Sequence, residues 1–518
     1  MSFRITYSVL DADMTEIHRL FDGALAAVKA LPTPEIPSWI AGEPVTSGEL
    51  FDSVNPSDTR QVLARAHVAP LSELDRAVQA AKDAQKIWAA MSWQQRVALI
   101  RRAADIISER RLELAAIMSL EVGKNRLEAL GDVEEAADLL RYYAGQVEQA
   151  DGFVKPLTKL SPREDVRSVL RPFGVFAVVA PFNFPTALAA GMSAGALLGG
   201  NAVILKPSEE AIWCAEGLYQ ALAAAGLPTG LFQVLHGPGA TVGDALIHHP
   251  GIDGTAFTGS TAVGNRIFRV MTEGRIRPAL LEMGGKNACI IGADANLEHA
   301  VEGCWKSAFG LSGQKCSALS RIYVHHSLRD AFVAKLVAKA EAVRVGDPTR
   351  HDIYMGPVIN AAAVARFEAA CAAAARDGRI LAGGMRPVGD EFAHGHFVSP
   401  TIVEVPAGHD LEQRELFLPF VAVFTFDTLQ EALQRANNSQ YGLTGGYYGA
   451  SDDGIAYYLD NVEAGCVYVN RAAGATTGAW PGVQAFCGWK GSGSSGKGGC
   501  GPYYVSQFMR EQSRTQVQ

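Results

Sequence analysis

Gly174 to Pro181 reads G-V-F-A-V-V-A-P, an apolar run of strand length closed by proline. A short apolar run without alternation suits a strand buried on both faces. The theme returns as A-V-I-L-K-P at 202–207, L-F-Q-V-L-H-G at 231–237 and G-T-A-F-T-G-S at 254–260, with helical segments between. Strand–helix alternation predicts a parallel, doubly wound sheet of the α/β class. Ligands bind such sheets beyond the carboxyl ends of the strands. Asn183, Lys206, Gly237 and Ser260 therefore occupy the informative positions. A second alternating region begins after Gly284 and includes A-C-I-I-G, R-I-Y-V-H-H and an alanine-rich helix around 361–376.

Before Gly174 the pattern is helical. Residues 1–36 read as a helical arm, with Ile17, Leu20, Phe21 and Leu25 at helical spacing, and Ile40 to Asn55 reads as a strand pair. Ser72 with Asp75 resembles a capping box ahead of Leu74, Val78, Ala81 and Trp88 on one helix face. Ser92 with Gln95 repeats that signal before a long helix that Gly123 should end. A third helix is expected from about Asn125 to Ala150, then a protruding hairpin over 151–171. The Gly- and Ser-rich segment 487–501 reads as a flexible linker.

The chain has 518 residues, 48% of them hydrophobic, enough for two or three domains. A net charge of -8, without a dense Lys/Arg run, argues against a nucleic-acid or anionic-membrane partner. No apolar stretch reads as a membrane span, and no secretory signal is evident. Eight cysteines without a C-x-x-C pair suggest neither a zinc site nor a disulfide framework, so no metal is expected and a cytoplasmic location is.

Each candidate residue has two local readings. Cys316 lies among small residues in F-G-L-S-G-Q-K-C-S-A-L-S (309–320), as a thiol nucleophile or a small buried hydrophobe. Glu282 in L-E-M-G-G-K suits a general base or a structural ion pair. Asn183 in P-F-N-F-P could stabilise an oxyanion or satisfy local backbone. Lys206 and Glu209 in K-P-S-E could hold a ribose or form a solvated pair. Ser260 opens a helix that could favour a phosphate, or is an ordinary cap. Gly237, Gly239 and Gly243 give G-x-G-x-x-x-G, which is not the usual dinucleotide spacing; a turn and helix start explain it equally.

Taken together, P-F-N-F-P, K-P-S-E, F-T-G-S, L-E-M-G-G-K, G-Q-K-C-S, R-E-L-F-L-P and N-x-x-Y-G-L-T-G-G stand in the order and spacing of the aldehyde dehydrogenase superfamily, which the chain resembles from about Ile40 to its end. It is most similar to the 1-pyrroline-5-carboxylate (glutamate γ-semialdehyde) dehydrogenase branch, through E-V-G-K-N at 121–125, D-V-E-E-A-A-D at 132–138, G-Q-K-C-S-A at 313–318 and T-G-A-W-P-G-V-Q-A-F at 477–486. The chain departs from the family with Q-A-F-C-G for Q-P-F-G-G, F-L-P for F-G-P, and about three extra residues within Ala472 to Thr476.

The resemblance implies NAD(P)-dependent oxidation of an aldehyde to a carboxylic acid, with glutamate semialdehyde as the expected substrate. Cys316 would be the nucleophile, Glu282 the base that activates water and Asn183 the oxyanion donor, with Lys206 completing the catalytic set. Pro181, Phe182, Lys206, Ser208, Glu209, Gly239, Gly243, Phe257, Thr258, Gly259, Ser260, Glu282, Met283, Gly284, Glu415 and Phe417 would surround the cofactor. Glu209 should repel a 2′-phosphate, so NAD is expected, with NADP still admissible. Ser317, Gly478 and Ala479 would hold the distal carboxylate, Glu135 the amino group, and Phe184 with Phe486 the aliphatic chain.

The implied division is a cofactor domain over 1–150 and 172–283, a catalytic domain over 284–486, and an oligomerisation hairpin and strand over 151–171 and 487–518, giving a homodimer or a dimer-based oligomer. Alternatives are another semialdehyde, aliphatic or aromatic aldehyde; CoA instead of water as acyl acceptor; or a non-catalytic binding or structural protein that retains the fold.

Overall fold

The computed structural model describes residues 14–518. The described residues build two seven-stranded sheets, with smaller sheets beside them. The first runs, in spatial order, Ala279–Glu282, Gly254–Thr258, Val175–Val179, Ala202–Lys206, Phe232–Val234, Ser38–Ile40 and Glu43–Val45. Its first five strands are mutually parallel, as the apolar runs imply. All five residues of Ala202–Lys206 are buried, which explains the absence of alternation. The helices Ala187–Leu198, Ile212–Ala224 and Thr261–Thr272 connect its strands.

The second sheet runs Arg379–Ala382, Thr401–Glu404, Phe420–Phe426, Leu319–His325, Asn287–Ile291, Thr444–Tyr448 and Cys466–Val469. It is parallel except at the Arg379–Ala382 edge. The 151–171 region forms the expected hairpin: Val154–Pro156 pairs with Glu164–Pro172, whose other edge takes Met509–Val517.

The helical stretch differs from the sequence reading in three places. The first 13 residues of the proposed arm lie outside the described residues. Thr15–Lys29 is helical, but its buried stripe is Phe21, Leu25 and Val28, while Leu20 is exposed. Ser72 caps nothing: Pro70 starts a 3-10 turn over Leu71–Glu73, and the helix Leu74–Ala90 grows out of it. The Ser92–Gln95 capping box forms, but the long helix breaks at Arg110 into Trp93–Glu109 and Arg111–Val122. Gly123 ends it at φ +78°, where a side chain would also run into Pro357. Asn125 then caps Arg126–Gln149 through the Glu128 N–H.

Segment 487–501 is a clasp rather than a flexible linker. Its Trp489–Lys490 pairs with Tyr441–Gly442, on the second-sheet side. Toward the first sheet, the Met283 N–H donates to the Ser492 carbonyl (2.8 Å), the Ser492 hydroxyl donates to the Gly284 carbonyl (2.7 Å) and the Ser494 hydroxyl to that of Ala279 (2.6 Å). Its glycines serve close backbone packing: a side chain at Gly488 would strike the Ser492 backbone, and one at Gly498 the Phe486 carbonyl.

Candidate active site

The first sheet brings its strand ends into one row. Register pairs Thr258 with Glu282, Phe257 with Val179, and Val179 with Lys206. Asn183 follows the strand containing Val179, and Ser260 follows the one containing Thr258. Four positions singled out in separate stretches of sequence thus line one edge.

Cys316 approaches this edge on a loop held in several directions. Leu311 and Ser312 have φ of 49° and 53°, a left-handed conformation costly for residues with side chains. The surroundings enforce it. The Ser312 hydroxyl donates to the Gly356 carbonyl (2.8 Å), the Ile359 N–H to the Gln314 side chain (2.9 Å), and the Asn287 amide to the carbonyls of Cys316 (2.7 Å) and Ala318 (2.8 Å). At Gly313 the backbone passes so close to Leu418 that no side chain fits. Cys316 is partly exposed as a residue. Burial, helped by the Glu415 and Glu282 carboxylates, pushes the thiol up to about 12 against the pull of the Ser317 and Cys316 N–H groups.

The Asn183 amide donates one N–H to the Gln314 carbonyl (2.9 Å), which links it to the Cys316 loop. The amide carries a second N–H besides this one. The Asn183 backbone carbonyl accepts from the Lys124 amine (2.9 Å), which also pairs with Asp132 (2.7 Å) and lies 3.8 Å from the Phe184 ring centroid. Asp132 in turn accepts from the Ala187 N–H (2.7 Å) at the start of Ala187–Leu198. Neither Lys124 nor Asp132 was among the sequence candidates. The signal was present: a lysine directly after a helix-ending glycine, with an aspartate on the next helix among apolar residues.

Burial pushes Glu282 well above the ordinary carboxylate range, opposed by the Gly488 N–H. Its buried Oε2 has no hydrogen-bond partner. A carboxyl raised in this way, near a nucleophile, suits a base that accepts a proton from water near neutral pH.

One cavity of about 410 Å³ gathers the substrate candidates: Cys316, Ser317, Glu135, Phe184, Gly478, Ala479 and Phe486 all line it, as does Glu282. Lys306, Glu302 and Arg471 also line it and were not anticipated. Residues 472–476 do not form a loose insertion. The Ala475 N–H donates to the Gly303 carbonyl (3.0 Å), the Thr476 N–H to the Ser307 hydroxyl (3.2 Å), and the Thr476 hydroxyl to the Ser317 carbonyl (2.8 Å).

The cofactor candidates lie along the same strand edge. Lys206 pairs with Glu209 (2.8 Å), whose other oxygen accepts from the Gly239 N–H (2.7 Å). Gly239 and Gly243 bed this pair; the turn at 239–243 is a π-helical one, which accounts for the unusual glycine spacing. Ser260 caps Thr261–Thr272 through the Val263 N–H (3.4 Å), so the helix presents its N-terminus here. Glu415 accepts from the Gly285 N–H (2.9 Å) and crowds Gly284, and the Phe417 and Phe182 rings meet edge to face at 6.1 Å. Phe257 and Met283 belong to a buried cluster with Leu281 and Met271, so a ligand here meets their backbone. Pro181, Ser208 and Gly259 lie in the turns just beyond the strands. The donor set fits a dinucleotide: a cation–carboxylate pair for ribose hydroxyls, a helix N-terminus for pyrophosphate, and a second carboxylate with aromatics at the far end.

A thiol, a raised carboxyl and an amide donor beside a dinucleotide-binding strand edge define a thiol-dependent oxidoreductase. The aldehyde dehydrogenase family description matches residues 40–513. The 1-pyrroline-5-carboxylate dehydrogenase of Staphylococcus epidermidis is 34% identical over 504 residues, 96% of each chain. One from Halalkalibacterium halodurans is 35% identical over 505 residues, again 96% of each. A solved 1-pyrroline-5-carboxylate dehydrogenase from Thermus with bound NAD superposes with a TM-score of 0.93 at 32% identity, covering 98% of both chains. Proline utilization A from Bdellovibrio bacteriovorus superposes at 0.92 with 37% identity over 97% of this chain, which spans about half (52%) of that longer protein. The chain belongs to the aldehyde dehydrogenase family. It is an NAD(P)-dependent enzyme that oxidises an aldehyde to a carboxylic acid.

Proposed function

We propose that the enzyme oxidises glutamate γ-semialdehyde, the open form of 1-pyrroline-5-carboxylate, to glutamate with NAD. The observation that carries this reading is the shared cavity, where Cys316 stands beside Ser317 and the Gly478–Ala479 backbone, with Glu135 on the wall. A hydroxyl and free N–H groups suit a carboxylate; Glu135 suits the amino group. Phe184 and Phe486 bracket the methylenes.

In the reaction, the Cys316 thiolate adds to the aldehyde carbon. The Asn183 amide and the Cys316 N–H bind the resulting oxyanion. When bound, the nicotinamide supplies the hydride acceptor. Glu282 then takes a proton from the water that attacks the thioester, and Cys316 leaves as thiolate. Lys206, Ser208 and Glu209 would hold the adenosine ribose, the N-terminus at Ser260 the pyrophosphate, Glu415 the second ribose, and Phe417 would pack on the ring. Glu209 disfavours a 2′-phosphate, which supports NAD over NADP.

The test is NAD reduction with glutamate semialdehyde, succinic semialdehyde, hexanal and benzaldehyde at equal concentration. A clear kcat/KM preference for the first is expected; preference for the uncharged aldehydes would remove the carboxylate anchor from the reading. Asn183→Ala should lower kcat roughly a hundredfold, about 3 kcal/mol, as removal of one oxyanion donor does elsewhere. Glu282→Gln should keep a single stoichiometric burst of NADH and slow steady turnover by about 10². Loss of the burst would show instead that Glu282 acts before hydride transfer.

We also read the enzyme as cytoplasmic and dimeric. Its eight cysteines are free, and no helix among the described residues is long and apolar enough to cross a membrane. Met509–Val517 is an outer strand with one edge unpaired among the described residues, a natural seam for a second copy. We propose a division into 1–150 with 172–283, 284–486, and the 151–171 hairpin with 487–518; the separateness of the two seven-stranded sheets supports it.

A further inference from the structure

The loop that would receive the substrate carboxylate has a feature not explained by the family chemistry. Arg471 leaves the end of Cys466–Val469 and folds back over the loop. Its guanidinium donates to the carbonyl of Thr477 and, at 3.4 Å, to that of Gly478. It also lies 5.1 Å from the Tyr468 ring centroid, and the Tyr448 hydroxyl donates to its own carbonyl (2.6 Å). Arg471 is thus fixed from several sides.

A trans peptide carries its C=O and its N–H on opposite sides. The Thr477 carbonyl shares a peptide with the Gly478 N–H, and the Gly478 carbonyl shares one with the Ala479 N–H. Holding both carbonyls with one planar fork therefore turns both N–H groups to the same, opposite side. Gly478, between the two peptides, has φ +107°, a conformation that favours glycine. A side chain at 478 would also strike the guanidinium. The Gly478 and Ala479 N–H groups have no hydrogen-bond partner among the described residues, and both residues line the cavity with Cys316.

We propose that Arg471 is a positioning residue for substrate specificity: by binding the Thr477 and Gly478 carbonyls it sets the Gly478 and Ala479 N–H groups as the receptor for the substrate's distal carboxylate. This rests on the glutamate semialdehyde reading. Arg471 touches neither the reacting carbonyl nor Cys316 in this scheme, so its removal should raise KM and spare kcat.

The experiment compares wild type, Arg471→Met and Arg471→Lys in steady-state oxidation of glutamate semialdehyde and hexanal with NAD. In Arg471→Met the ratio of kcat/KM values, glutamate semialdehyde over hexanal, should fall at least about tenfold, carried by KM, the equivalent of ~1.4 kcal/mol of carboxylate binding. Arg471→Lys, which keeps a donor but not the planar fork, should recover part of that ratio. An unchanged ratio in Arg471→Met, whether both activities fall together or neither does, overturns the proposal and leaves Arg471 a structural residue. A wild type without preference for glutamate semialdehyde overturns the substrate reading first, before any variant is compared.

Discussion

Replacing Cys316 by serine should abolish aldehyde oxidation, with kcat/KM reduced by about 10⁴ or more and no NADH burst. The surroundings that serve a thiol would defeat an alcohol. Burial, Glu415 and Glu282 already push the thiol up to about 12, and only two local N–H groups oppose them. A hydroxyl starts several units higher and would meet the same penalties, so its alkoxide fraction would be negligible. On the proposed reading the cofactor lies along Lys206, Glu209 and Ser260, so NAD binding, read by protein fluorescence quenching, should be unchanged. The sign of the thiol shift gives a companion expectation. In the protein without ligands, alkylation of Cys316 should keep accelerating as pH rises past 9. A plateau at neutral pH would mean a thiolate already formed, contrary to the burial seen here.

Lys124→Met should be the most destabilising single change near the site, by roughly 3–5 kcal/mol, because it strips the partner from a buried charge. Lys124 and Asp132 are both fully buried. Burial raises the Asp132 carboxyl, while Lys124 and the Ala187 and Thr186 N–H groups pull it down. Without the amine it would rise further above its ordinary 3.8. The sign follows from proton uptake: a group whose folded value lies above its unfolded one binds more protons in the native state. The loss from Lys124→Met should therefore be smallest below about pH 4 and grow as pH rises through the raised carboxyl. Denaturant unfolding of wild type and variant at pH 4.5 and 8 would measure it; a pH-independent loss would place the defect in packing alone. Asp132→Asn in the same chain should restore most of the stability, since the two residues share one term. Activity should not return with it. Lys124 also holds the Asn183 carbonyl, and an oxyanion donor that drifts loses its effect steeply.

Much of this was legible in the residues. The apolar runs ending at Pro181, Lys206 and Ser260 announced parallel strands because strands buried on two faces leave no room for alternation. Parallel strands in turn dictated which edge carries the chemistry. Ordered motifs joined Cys316, Glu282 and Asn183 although they are far apart in the chain. What escaped has a common cause. Ser72 resembles a cap by spacing, but Pro70 had already started a turn, and local signals cannot rank competing starts. The 487–501 segment has a linker's composition because backbones packed against each other also need small residues. Arg471 was passed over because its guanidinium binds main-chain carbonyls, which leave no mark in a sequence; Lys124 and Asp132 did leave one, but spacing alone does not show that two residues on either side of a turn are buried as a pair.

The Thr476–Ser317 hydrogen bond has a consequence for the size of molecule the enzyme accepts. Cys316 and the 477–479 loop line one cavity, and Thr476 ties that loop to the residue next to the thiol; on the proposed reading the thiol takes one end of the substrate and the loop the other. The two anchors are strutted to each other rather than hung separately on the scaffold, so the span between them works as a ruler. An aldehyde one chain carbon short, such as succinic semialdehyde, which lacks the amino-bearing carbon, would reach the far end or the sulfur but not both. A longer one would have to buckle. Selectivity by length then belongs to neither end, and lengthening the 472–476 segment would be the natural way to recalibrate it.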